Sequence, residues 1–180
     1  MLKKILVALD RSDIGQQVFE QALVLAKATQ AKLLLLHVLS PEEEGSPHIP
    51  MVSGYDYYPG LNGQSFEIYQ KQWDTFKNEG VRMLQTLCAK ANTQGVSTEF
   101  SQTLGNPGRT ICKLATNWNA DLIVMGHRGL SGVKELFLGS VSNYVLHHTP
   151  CSVHIVHDLG RVKDTEPVQD PTQEPQPLPA

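Results

Sequence analysis

The chain has 180 residues, 41% hydrophobic and 18% charged, with a formal net charge of -3. That balance supports a folded core over disorder, and without a clustered Lys/Arg stripe it argues against nucleic acid as a partner. Cys88, Cys112 and Cys151 are odd in number and widely spaced, which excludes a disulfide framework, and no apolar run reaches the roughly 18 residues of a membrane span.

The first apolar run, Ile5 to Leu9, stops at Asp10, too short for a signal peptide, so a cytoplasmic protein is expected. "KKILVAL" (Lys3 to Leu9) reads as a strand buried on both faces. Val18, Ala22, Leu25 and Ala26 follow at helical spacing, predicting a helix over Gly15 to Thr29. "AKLLLLHV" (Ala31 to Val38) is a second buried strand, and the three pieces make a right-handed βαβ unit.

Ser40 to Gln64 breaks the rhythm with Pro41, Pro47, Pro50, Pro59, four glycines and Tyr55, Tyr57 and Tyr58. Residues 40–65 therefore read as a long inserted loop, its tyrosines facing a partner or the pocket. Phe66 to Asn92 is helical in pattern, with Gly80 as a candidate kink. "VSTEFSQTL" (Val96 to Leu104) alternates like an edge strand. In "GNPGRTICKLATNW", Asn106 is placed to cap a helix and Pro107 to begin it. "ADLIVMG" is another buried strand, Ser140 to His148 a helix, and "CSVHIVH" (Cys151 to His157) the last strand. The tail, 158–180, holds five prolines, five acids and two bases, and disorder is expected there.

Alternating strands and helices predict a single α/β domain over residues 1–157: an open five-stranded parallel sheet, order 3-2-1-4-5, helices on both faces, Rossmann-like. Ligands of such sheets bind beyond the strands' carboxyl ends where the winding reverses, here between strands one and four. Those ends are Asp10 and Met125-Gly126.

The glycines start at that point. Gly126 and Gly129 permit a sharp turn and a close approach to an anion. Gly139-Ser140 opens the last helix, whose free N–H groups and positive dipole end suit phosphate. Val141 and Ser142 add N–H groups, and Ser140 and Ser142 add hydroxyls. The histidines do not group as ligands: His147-His148 are adjacent on a helix, and His154 and His157 point to opposite sides of a strand. The cysteines read as small buried hydrophobes.

Gly126-x2-Gly129-x9-Gly139-Ser140 resembles the signature G-x2-G-x9-G-[S/T] of the nucleotide-binding branch of the universal stress protein family. The resemblance runs from Leu2 to Val156 through "KKILVALD", "LLLLHV", "GNPGRTI", "ADLIVMGHRG" and "TPCSVHIV". It implies an ATP site in which Asp10 bonds the ribose or adenosine edge, Val38 meets adenine through its backbone, and Met125 packs near the adenosine. Gly126, Arg128, Gly129, Gly139, Ser140, Val141 and Ser142 would surround the phosphates, with room for a bridging Mg²⁺ or Mn²⁺. It also implies a stress-response regulator that dimerises through its last strand and signals to an unknown protein.

The chain has no GxxxxGK[S/T] loop, protein-kinase set or Gly-x-Ser-x-Gly elbow. Little or slow hydrolysis is expected, which favours a nucleotide-dependent switch. Two alternatives stand beside it: a nucleotide-cleaving or adenylyl-transfer enzyme on the same fold, and a ligand-free dimeric interaction module.

Overall fold

The structure is a computed structural model that describes residues 1–43, 45–47, 59–127 and 139–157, with residues 59–65 described as helix backbone. The expected tail, the tyrosines Tyr55, Tyr57 and Tyr58, and the site residues Arg128 and Gly129 lie outside the described residues.

Five strands and four helices alternate: β1 (Lys4–Leu9), α1 (Asp13–Thr29), β2 (Lys32–Leu39), α2 (Pro59–Thr93), β3 (Thr98–Leu104), α3 (Pro107–Trp118), β4 (Leu122–Gly126), α4 (Ser140–His148) and β5 (Ser152–Val156). All strand pairs are parallel, in the order β3-β2-β1-β4-β5. The sheet order and the strand-helix rhythm match the expectation.

Strand character follows position. β1, β2 and β4 are central and nearly all buried, while β3, at the edge, is mostly exposed. Two cores result. On one face Ile5, Val7 and Leu9 of β1 pack with Val18, Phe19, Ala22 and Leu23 of α1 and Leu84, Leu87 and Ala91 of α2. On the other, Leu6, Leu36, Val38, Ile123 and Met125 pack with Ile111, Cys112 and Ala115 of α3 and Val145 of α4. So α1 and α2 cover one face and α3 and α4 the other, and the winding reverses between β1 and β4. Burying two faces at about 25 cal/mol per Å² of apolar area is the main drive to fold.

Local chemistry sets the ends. Asn106 caps α3, its side chain accepting from Arg109 N at 3.1 Å, and Pro107 begins the helix. Asp121 Oδ2 accepts from Lys3 N at 2.8 Å and Lys4 N at 2.9 Å, tying the turn before β4 to the start of β1. These two bonds lower the Asp121 carboxyl below its ordinary value.

One expectation fails in α2. The helix begins at Pro59, so residues 59–65 of the expected loop are helical. Pro59 supplies a preset φ at a first helical position, whereas Gly60 and Gly63 weaken the propensity on which the loop reading rested. The helix runs through Gly80, and Gly80 is buried where α2 crosses β2 and β3. A Cβ there would lie 2.5 Å from His37 Nδ1, so the glycine provides close approach between elements.

Candidate functional site

β1 and β4 lie side by side with Ala8 opposite Met125, so their exits, Asp10 and Gly126, open on one crevice. A pocket of about 400 Å³ occupies it, within the range of roughly 300–1,000 Å³ usual for small-molecule sites. Its walls bring together Asp10, Val38, Met125, Gly126, Gly139, Ser140, Val141 and Ser142, the eight expected site residues that lie among those described.

The two ends of the pocket differ in charge. At the exits of β1 and β2 stand three carboxylates, Asp10, Glu42 and Glu43, with Ser40. Asp10 Oδ1 accepts from Ser12 N at 3.1 Å and from the Ser12 hydroxyl, which holds the carboxylate in the turn that leads into α1. At the other end is the start of α4. Gly139 is its N-cap, with extended backbone and no side-chain cap. Ser140, Val141 and Ser142 are its first residues, whose N–H groups have no intrahelical acceptor, and nine helical residues contribute to the dipole behind them. A group with hydroxyls at one end and negative oxygens at the other fits this gradient in one direction only.

Between the ends the lining is apolar: Leu36, Val38 and Met125 from the strands, Ile14 and Val18 from α1, Ile111 from α3. Gly15 and Gly126 keep the floor open. A Cβ on Gly15 would lie 2.5 Å from the Asp10 carbonyl oxygen, and one on Gly126 would lie 2.6 Å from Ile14 Cγ2. Both glycines therefore serve packing as well as any ligand.

Ser142 departs from the expectation of a hydroxyl aimed at phosphate. It is buried, and its Oγ donates to the Gly126 carbonyl at 3.2 Å. The single hydroxyl proton thus joins the exit of β4 to the first turn of α4, leaving the backbone N–H as the group Ser142 can offer. Ser140 is exposed at the helix mouth.

Sequence reasoning did not find Gly15, Ser40, Glu42, Glu43, Pro107 or Ile111 as pocket residues. Glu43 had a signal, since His37 stands in a run of leucines and a buried histidine requires a polar partner. The two form a pair at 2.9 Å, with side-chain exposures of 1% and 5%. Nothing in a Pro- and Glu-rich stretch says which glutamate turns inward.

Among the described residues no group of three or more His, Cys, Asp or Glu side chains could hold a metal ion, and no helix is long and apolar enough to cross a membrane. A wider groove of about 930 Å³ lies beyond Arg11, against the Lys71–Glu79 side of α2. It is more open, and although Gly45 and the start of α1 at Ser12 and Asp13 line it, neither Gly126, Gly139 nor the start of α4 does, so the strand-end pocket is the better ligand site.

Known proteins share this architecture. The family model for the universal stress protein family matches residues 1–157. Universal stress protein Sll1388 of Synechocystis sp. is 36% identical over 157 residues, covering 85% of this chain and 96% of that protein. Among solved structures, universal stress protein UspA from Lactobacillus plantarum is 28% identical with a TM-score of 0.59, over 86% of this chain and 97% of that one. A universal stress protein solved in complex with cAMP is 25% identical with a TM-score of 0.56, over 87% of this chain and 97% of that one. With a match that spans the whole described fold, this chain belongs to the universal stress protein family.

Proposed function

We propose that the protein binds an adenine nucleotide, ATP foremost, in the strand-end pocket and acts in the cytoplasm as a nucleotide-dependent regulator of the stress response. One observation carries the reading: a single pocket joins carboxylates at the β1 and β2 exits to bare amides at the mouth of α4, across an apolar middle. The purine fits the apolar middle beside Val38 and Met125. Ribose hydroxyls donate to Asp10, and phosphate oxygens accept from the N–H groups of Ser140, Val141 and Ser142. Arg128 and Gly129 complete the phosphate loop in this reading, on the strength of the glycine signature. The related structure in complex with cAMP supports the ligand class.

A Mg²⁺ or Mn²⁺ ion on the phosphates would draw its ligands from phosphate and water, since Asp10, Glu42 and Glu43 line the opposite end of the pocket. Without a lysine loop or kinase set to orient a nucleophile, the bound nucleotide turns over slowly and signals by occupancy. The protein acts as a homodimer that pairs at β5, the edge strand whose Val153 and Ile155 are half-buried in the monomer. A partner protein reads the liganded surface.

Thermal-shift titration with ATP, ADP, AMP and cAMP tests the binding. A ligand at 100 times its Kd stabilises the fold by about 2.7 kcal/mol. Gly139→Val should abolish the shift while the unliganded protein still melts cooperatively. A Gly139→Val protein that binds ATP with wild-type affinity refutes the placement of the phosphates, and a wild type unmoved by all four nucleotides refutes the ligand class. Light scattering that returns the monomer mass at micromolar concentration refutes the dimer.

A further inference from the structure

His37 interrupts a leucine run, yet it is completely buried. A buried imidazole needs partners for both nitrogens. Its Nε2 lies 2.9 Å from Glu43 Oε1 and 3.0 Å from Oε2, and its Nδ1 lies 2.9 Å from Gln102 Nε2. The same Gln102 nitrogen donates to the Lys77 carbonyl of α2 at 3.1 Å.

That last bond decides the proton. A carbonyl oxygen only accepts, so the amino end of Gln102 faces both Lys77 O and the ring. Its second hydrogen goes to Nδ1, which must therefore accept. The ring proton sits on Nε2 and is donated to the Glu43 carboxylate. A swapped amide would set two acceptor oxygens against each other. Gly80, lacking a Cβ, leaves the room in which Gln102 and His37 meet.

Glu43 lies in a turn whose other bonds are local: Glu43 N to Ser40 O at 3.1 Å, Ser46 N to Glu43 O at 3.0 Å, and Ser46 Oγ to Pro41 O at 2.6 Å. The Glu43 carboxylate reaches outside the turn. It accepts from His37 and, at 3.4 Å, from the backbone N–H of Arg11, the residue after Asp10. One buried carboxylate thus links the exits of β1 and β2, the two rims that frame the carboxylate end of the pocket. Glu43 and Ser40 line the pocket, whereas His37 and Gln102 stand behind it.

We propose that His37 and Gln102 are positioning residues for the nucleotide. Gln102 sets the His37 tautomer, His37 holds the Glu43 carboxylate, and Glu43 holds the Ser40–Ser46 turn at the separation from the Asp10–Ser12 loop that the adenosine requires. The proposal rests on reading the pocket as the nucleotide site.

Calorimetric titration of the full chain with AMP and ATP tests it. In His37→Gln the new amide offers a donor and an acceptor in the order of the neutral ring, while His37→Phe fills the volume with neither. Losing a hydrogen bond to a buried charge corresponds to a change of about tenfold or more. His37→Phe should therefore weaken both nucleotides at least about tenfold, and His37→Gln should stay within about threefold of wild type. Nitrogen-15 spectra of the unliganded wild type should show one bare and one protonated His37 nitrogen, with the proton on Nε2. If His37→Phe does not fold, Gln102→Leu carries the test from the half-exposed end of the network, with weaker binding expected. Wild-type affinity in the loss variants, a His37→Gln as weak as His37→Phe, or a proton on Nδ1 overturns the proposal. A wild type that binds neither nucleotide refutes the pocket reading and the positioning role together; tight wild-type binding with unaffected variants refutes the positioning role alone.

Discussion

Replacing Gly80 by alanine separates two explanations of a glycine in mid-helix by the sign of the effect. If Gly80 merely loosened α2, Gly80→Ala would stabilise the protein by about 1 kcal/mol, the difference in helix propensity. The geometry predicts the reverse. The added Cβ would lie 2.5 Å from His37 Nδ1, 2.7 Å from Cε1 and closer still to Gln102 Nε2, where ordinary contact begins at 3.4 Å. His37 is fully buried and its ring cannot bend away, so α2 must retreat by roughly 1 Å. Overpacking of this kind costs about 1–3 kcal/mol, and pulling Gln102 from the ring forfeits about 1 kcal/mol more. Against the propensity gain, the net is a loss of about 1–3 kcal/mol. Urea unfolding followed by far-ultraviolet circular dichroism reads it as a lower midpoint at unchanged slope. A Gly80→Ala protein with an equal or higher midpoint refutes the close approach of α2 to His37.

Three further outcomes follow from local geometry. Asp121 accepts two backbone N–H groups and titrates below its ordinary 3.8, so its contribution is present above that value and lost as pH falls through the lower folded value. The gap in melting temperature between wild type and Asp121→Asn should hold from pH 7 to 5 and close below 3.8; a gap unchanged in acid rejects the assignment. Asn106→Ala removes the cap on Arg109 N and should cost about 1 kcal/mol by chemical denaturation, with Asn106→Asp retaining most of it. Burial raises the Cys112 and Cys88 thiols, the latter despite an opposing hydrogen bond from Asn92, so both should alkylate more slowly than free cysteine at pH 8 in the folded protein, and as fast only after unfolding.

Chain-local patterns carried much of the fold. The unbroken apolar runs of β1, β2 and β4, the alternation of β3 and the Asn106-Pro107 start of α3 are each written in a few neighbouring residues. The winding order and the glycine spacing were enough to bring Asp10, Met125-Gly126 and the start of α4 to one crevice, and the family resemblance added Val38. Where local signals were weak the reading failed. Gly60 and Gly63 hid the first turns of α2, because packing and length can override propensity. Ser142 carries a hydroxyl that any sequence reader would aim at a ligand, yet its proton goes to the Gly126 carbonyl, a partner sixteen residues earlier.

By itself the sequence determined the alternation of buried strands with helices and the glycine-serine start of α4, since periodicity, turn residues and helix starts act over short stretches of chain. Only the tertiary structure decided that Glu43 turns inward, that His37 sits between Glu43 and Gln102 and that Gly80 is a point of contact. Those facts depend on β2, the 40–46 turn, β3 and α2 meeting at one place, with Gln102 sixty-five residues from His37. A buried polar group takes whichever partner folding brings to it, and no local pattern records that choice.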